Sequence, residues 1–207
     1  SWTTFPLSDE NGEYKVTVFE NVSENKYATV LSVKFSVSME DPFAPFLRPN
    51  QYVNYEVDAK NTVAKAAELF AEQDTTLDKI RAAYEFVVTT LTYDTEKAAT
   101  VQSGYLPVLD KVLSEKKGIC FDYAAMLAGM LRSQGIPCKL IVGYAGSVYH
   151  SWINVYTEES GWINSAIYFD GYSWKLMDPT FASSGNQSSP IMKYIGDSKN
   201  YKAMFIY

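Results

Sequence analysis

Hydrophobic positions along the chain repeat with two different periods. Near the N-terminus, Val33, Phe35, Val37 and Met39 alternate with Lys34, Ser36 and Ser38. A period of two predicts a β-strand with one buried face. The β-branched run "YKVTVF" at 14–19 predicts another strand, and "QYVNYEV" at 51–57 a further short one. "DPFAPFLRPN" at 41–50 holds three prolines and reads as an irregular connection. From residue 63 the period lengthens. Val63, Ala66, Ala67 and Phe70 fall at i, i+3, i+4 and i+7, which predicts a helix. Thr75-x-x-Asp78 resembles a capping box and precedes Leu77, Ile80, Tyr84, Val87, Val88 and Leu91 on one helical face. "LPVLDKVLSEKKG" at 106–118 predicts a shorter helix, with Pro107 near its first turn and Gly118 past its end.

The next helix opens at Cys120 and is apolar on nearly every side, which predicts a central, buried helix stopped by Gly135 and Pro137. Strand-like runs follow at 138–146, 150–157, 161–169 and 172–178, and "YKAMFIY" at 201–207 reads as a last strand. Asp170-Gly171 suits a type I′ hairpin turn between the third and fourth of these. Strands, then helices, then strands imply an α+β fold rather than alternating βαβ units.

Composition narrows the possible partners. The formal charge is −6 and no basic run exceeds two residues, which argues against a nucleic-acid or anionic-membrane partner. No apolar run approaches the length of a membrane span. The 16 Tyr lean toward an extracellular bacterial protein. On that leaning an extracellular or cell-surface location is expected; the chain opens on Ser1 with no visible signal peptide, and any targeting segment is expected to have been removed. The two cysteines, Cys120 and Cys138, match no zinc-ligand spacing, and His150 is the sole histidine. A metal site is therefore not expected, nor is any other cofactor.

Cys120 stands where a reactive thiol belongs. The unpaired N–H groups and dipole at a helix start favour a thiolate, and the same N–H groups can hold an oxyanion. A nucleophile needs a base, and the base needs an orienting group. His150 opens a predicted strand, and Asp178 ends another just before Pro179. If those strands are neighbours, thiol, imidazole and carboxylate can meet at one end of the sheet. Each residue alone also has an ordinary reading. Most cysteines are simply buried, a lone histidine is often structural, and Asp-Pro opens many turns. Cys138, ahead of an apolar strand, reads as core, and a redox bridge between Cys120 and Cys138 stays open. Trp152, Trp162 and Trp174 read as core or cleft walls.

Together, "GICFDYAAMLAGMLRSQGIPCKLIVGY", "HSWINVY" and "WKLMDPTF" resemble the transglutaminase-like superfamily, over about residues 77 to 181. The resemblance implies a papain-like core, in which a central buried helix bearing the cysteine packs on an antiparallel sheet. It implies a catalytic domain at 59–207 and an N-terminal β-rich extension or small accessory domain at 1–58. It implies Cys120 as nucleophile, His150 as general base and acid, and Asp178 as orienter. Tyr93 and Tyr105 are the candidate second oxyanion donors, and Trp152 and Tyr123 the candidate cleft walls. The implied reaction is acyl transfer from an amide of a protein, peptide or cell-wall peptide, by hydrolysis or crosslinking. Two alternatives stand beside it: a catalytically silent module that binds peptide or glycan, and an acyltransferase acting on a small amine.

Overall fold

The structure, a computed structural model, describes residues 3–163, 167–169, 174–176 and 201–207. It divides into two compact units, one of residues 7–45 and one of residues 1–6 with 46–207.

The smaller unit is a hairpin of β1 (Gly12–Ser23) and β2 (Lys26–Val37), paired antiparallel with irregular register after Val18. Its alternation places Val16 opposite Val33, Val18 opposite Leu31 and Tyr14 opposite Phe35. The expected buried face is not buried here, since Val16, Val18, Leu31, Val33 and Phe35 are all exposed. Alternation decides which side chains share a face, and the face still needs a second layer to cover it. In the connection that follows, Ala44–Leu47 form a one-turn helix, α1.

The larger unit holds the core. Its first segment corrects the strand expected at 51–57. Those residues form bends, and the Asn50 side chain accepts the backbone N–H groups of Tyr52 and Val53. Helix α2 (Lys60–Phe70) has no side-chain cap of its own. Asp110 supplies one from another element, accepting the N–H groups of Asn61 and Thr62. Helix α3 (Thr76–Thr90) is capped as expected, the Thr75 hydroxyl accepting the Asp78 N–H at 3.1 Å. Leu91 leads into β3 (Thr92–Tyr93), followed by α4 (Thr95–Thr100), which Asp94 caps. Helix α5 (Leu109–Glu115) is shorter than the 106–118 expected. It ends on Lys116 in the left-handed region (φ 51°), not on Gly118, because Lys117 and Gly118 are drawn into β4 (Lys117–Gly118) beside β3.

Helix α6 (Cys120–Ser133) is the central element. Tyr123, Met126, Leu127, Met130 and Leu131 are at most 1% exposed, each contributing about 1.5–3 kcal/mol by burial. It packs against α2, α3, α5 and two strands of an antiparallel sheet. That sheet has the order β10 (Tyr201–Ile206), β5 (Cys138–Ala145), β6 (Val148–Thr157), β7 (Gly161–Ile163). Strands β8 (Ile167–Phe169) and β9 (Trp174–Leu176) pair antiparallel with each other. Among the described residues, the neighbours of β6 are β5 and β7. The expected Asp170-Gly171 turn and Asp178 lie outside the described residues.

Candidate active site

The parallel pair β3–β4 anchors the chain just before α6. The Thr92 N–H donates to Lys116 O and the Asp94 N–H to Gly118 O, at 2.9 and 2.8 Å. This sets Tyr93 beside Gly118, two residues ahead of Cys120. Gly118 cannot carry a side chain, because a Cβ there would stand 2.6 Å from Asp122 Cβ. The tight approach lets the Asp122 carboxylate fold back and accept the Ile119 N–H at 2.8 Å, one of the orphan donors of the helix start. Cys120 is the first residue of α6 and is half-buried.

Asp122 is fully buried and has two further partners. Lys97 Nζ lies 2.7 Å from one carboxylate oxygen, and the Tyr105 hydroxyl donates to the other at 2.5 Å. Lys97 also donates to the Tyr105 oxygen. Burial first, and then the Asp122 carboxylate, push the Tyr105 phenol well above its usual value. Its proton is committed to Asp122.

His150 arrives on β6, 4% exposed, opposite Gly143 of β5. A Cβ at Gly143 would run into the Lys202 carbonyl of β10, so the glycine permits the close approach of β10 at its register irregularity. Cys120 and His150 line the same cleft, of about 570 Å³. Tyr93 and Tyr105 line it as well. The expected walls do not. Tyr123 is 0% exposed and belongs to the hydrophobic core. Trp152 is 2% exposed and packs edge-on against Tyr201 at 5.1 Å. Among the described residues the further aromatic walls are Tyr52, Phe121, Tyr149 and Tyr207, which sequence reasoning missed. Tyr52 and Tyr207 come from segments far apart in the chain and stack at 3.7 Å, so no local spacing signals them. Phe121, beside Cys120, could have been found from its place in the first turn.

Cys138 is fully buried, and burial pushes its thiol up to about 12, with Arg132 opposing. Both cysteines are free thiols in this structure.

The model of the transglutaminase-like superfamily matches residues 63–179, over half of the chain and spanning both Cys120 and His150. The chain belongs to the transglutaminase-like superfamily. Among curated proteins it is 27% identical over 183 residues to the uncharacterized protein YebA of Bacillus subtilis, covering 76% of this chain and 24% of that one. It is 26% identical over 117 residues to the kyphoscoliosis peptidase of Mus musculus, covering 56% and 17%. It is 28% identical over 69 residues to a protein-glutamine gamma-glutamyltransferase of Pseudomonas aeruginosa, covering 27% and 10%. The chain thus spans a quarter or less of the length of these relatives. Among solved structures, the periplasmic domain of TgpA from Pseudomonas aeruginosa shares the fold, with a TM-score of 0.51 at 20% identity, covering 76% of this chain and 53% of that one.

Proposed function

We propose that the protein is a cysteine-dependent acyl-transfer enzyme acting on amides. One observation carries this reading: the half-buried thiol that opens α6 and the sole histidine of the chain line one cleft. In the proposed mechanism His150 takes the Cys120 proton, and the thiolate attacks the amide carbonyl. The tetrahedral oxyanion is held by the Cys120 N–H at the helix start. His150 then protonates the leaving amine, and an acyl-thioester remains on Cys120. Asp178 is assigned the role of orienting the imidazole. The second oxyanion donor is assigned to Tyr93 rather than Tyr105, because the Tyr105 proton is held by Asp122.

Water as acceptor gives hydrolysis, which is the proposed main reaction, and an amine gives crosslinking. Relatives named as a peptidase and as a gamma-glutamyltransferase are consistent with both acceptors. Action outside the cytoplasm is proposed as well, supported by the likeness in fold to the periplasmic domain of TgpA. Among the described residues no helix is long and apolar enough to cross a membrane.

Incubation with β-casein, with and without a fluorescent alkylamine, tests the reaction. Cleavage fragments that vanish in Cys120→Ala are expected, and amine incorporation would identify the crosslinking branch. If neither occurs while Cys120 remains alkylatable, the silent binding module is the better reading.

A further inference from the structure

We propose that the cleft selects amide substrates whose residue beside the reacting carbonyl carries an uncharged apolar or aromatic side chain. This rests on the acyl-transfer reading above and adds a substrate class to it.

The cleft lining carries the inference. Among its sixteen described residues there is no Asp, Glu, Lys or Arg. Lys97 and Asp122, each next in sequence to a lining residue, are paired with each other beside Tyr105. A charged substrate side chain entering here would leave water and find no described partner of opposite sign, which is unfavourable. Apolar surface, by contrast, is plentiful. Tyr52 stacks on Tyr207, and Tyr207 stacks on Phe205 at 6.3 Å. Tyr144 meets Tyr149 edge-on at 5.6 Å. Burial first, then Tyr52 and Tyr149, hold the Tyr207 phenol above its usual value, and burial, Tyr144 and Cys120 do the same for Tyr149. These rings therefore stay neutral through the physiological range. Tyr144, Tyr149 and Phe205 are each 41–57% exposed, so the aromatic surface continues from the cleft to its rim. Rigid rings with polar edges suit a flat or branched apolar side chain next to an amide backbone. A cavity of this volume is large enough for such a side chain and its flanking peptide groups.

The test uses one warhead on several side chains. N-iodoacetyl derivatives of phenylalanine amide, leucine amide, lysine amide and the α-amide of glutamic acid are reacted with the intact protein at pH 7. In each, the Cys120 thiolate forms the C–S bond and iodide leaves. Labelling is read at the Cys120 peptide by mass and normalised to the rate of each reagent with glutathione. The phenylalanine and leucine reagents are expected to react at least about tenfold faster than the lysine and glutamate ones. Tyr52→Ala is expected to shrink that ratio. Rapid labelling by all four at equal normalised rates, or a preference for a charged reagent, overturns the substrate class and leaves the nucleophile in place. Labelling no faster than glutathione by any reagent overturns the acyl-transfer reading and the substrate class with it.

Discussion

Asp122 stands two residues after the proposed nucleophile with no solvent exposure, and its charge is balanced by Lys97 alone among the described cations. An unbalanced carboxylate there would oppose a thiolate on Cys120. Lys97→Met is therefore expected to slow Cys120 alkylation near neutral pH. The double variant Lys97→Met/Asp122→Asn, in which neither charge remains, should restore the rate. A series of alkylation rates from pH 5 to 9 measures both, and an unmoved profile in Lys97→Met would show that the pair is only structural. Cys120 and His150 stood out in the sequence because each has a local mark, a helix start for one and the head of an expected strand for the other, although β6 in fact begins at Val148. Lys97 and Asp122 lie 25 residues apart, and Asp122 reads as one more polar residue in a helix. Only folding reveals that this carboxylate turns back on the Ile119 N–H.

At the scale of elements, two side chains tie separate segments together. Arg132 of α6 donates to the carbonyls of Cys138, Arg48 and Tyr207, linking the helix to β5, to the 46–58 segment and to the end of β10. Burial pulls its guanidinium down from its usual value, with Cys138 and Tyr55 opposing. Arg132→Met removes a donor from each of three carbonyls, of which the Tyr207 carbonyl keeps the Leu140 N–H, and should cost about 3 kcal/mol in urea unfolding. Asp110 behaves differently. Burial pushes its carboxyl up, but the N–H groups and side chains of Asn61 and Thr62 outweigh that and hold it below its ordinary value. A carboxyl lowered in the folded state adds stability that is full above its unfolded value near 3.9 and is lost as the pH falls below it. Asp110→Asn should therefore flatten the acid limb of the stability curve below about pH 4, leaving its shape near neutrality unchanged. The helix periods of α2, α3 and α6 were readable because each apolar face repeats within the element. The cap on α2 was not, because its acceptor lies 48 residues away.

Across the whole molecule the two units differ in how much they bury. The larger one closes around α6, while the hairpin of β1 and β2 leaves Val16, Val18, Leu31, Val33 and Phe35 exposed. A two-stranded ribbon without a second layer is marginal in water. Amide hydrogens at 12–37 are thus expected to exchange at least about a hundredfold faster than those of α6, by hydrogen-exchange mass spectrometry. Equal protection would show that the apolar face is covered in solution. The α+β class and the buried cysteine helix followed from the order of periods along the chain. The uncovered face did not, because alternation reports which residues share a side and not what packs on it. The central claim is that Cys120 and His150 act together, and iodoacetamide alkylation of Cys120 as a function of pH, in the wild type and in His150→Ala, tests it most directly. The account predicts rapid alkylation already at pH 6 in the wild type and its collapse in the variant. A slow rate in both, rising only near pH 8.5 as for an ordinary thiol, would contradict it.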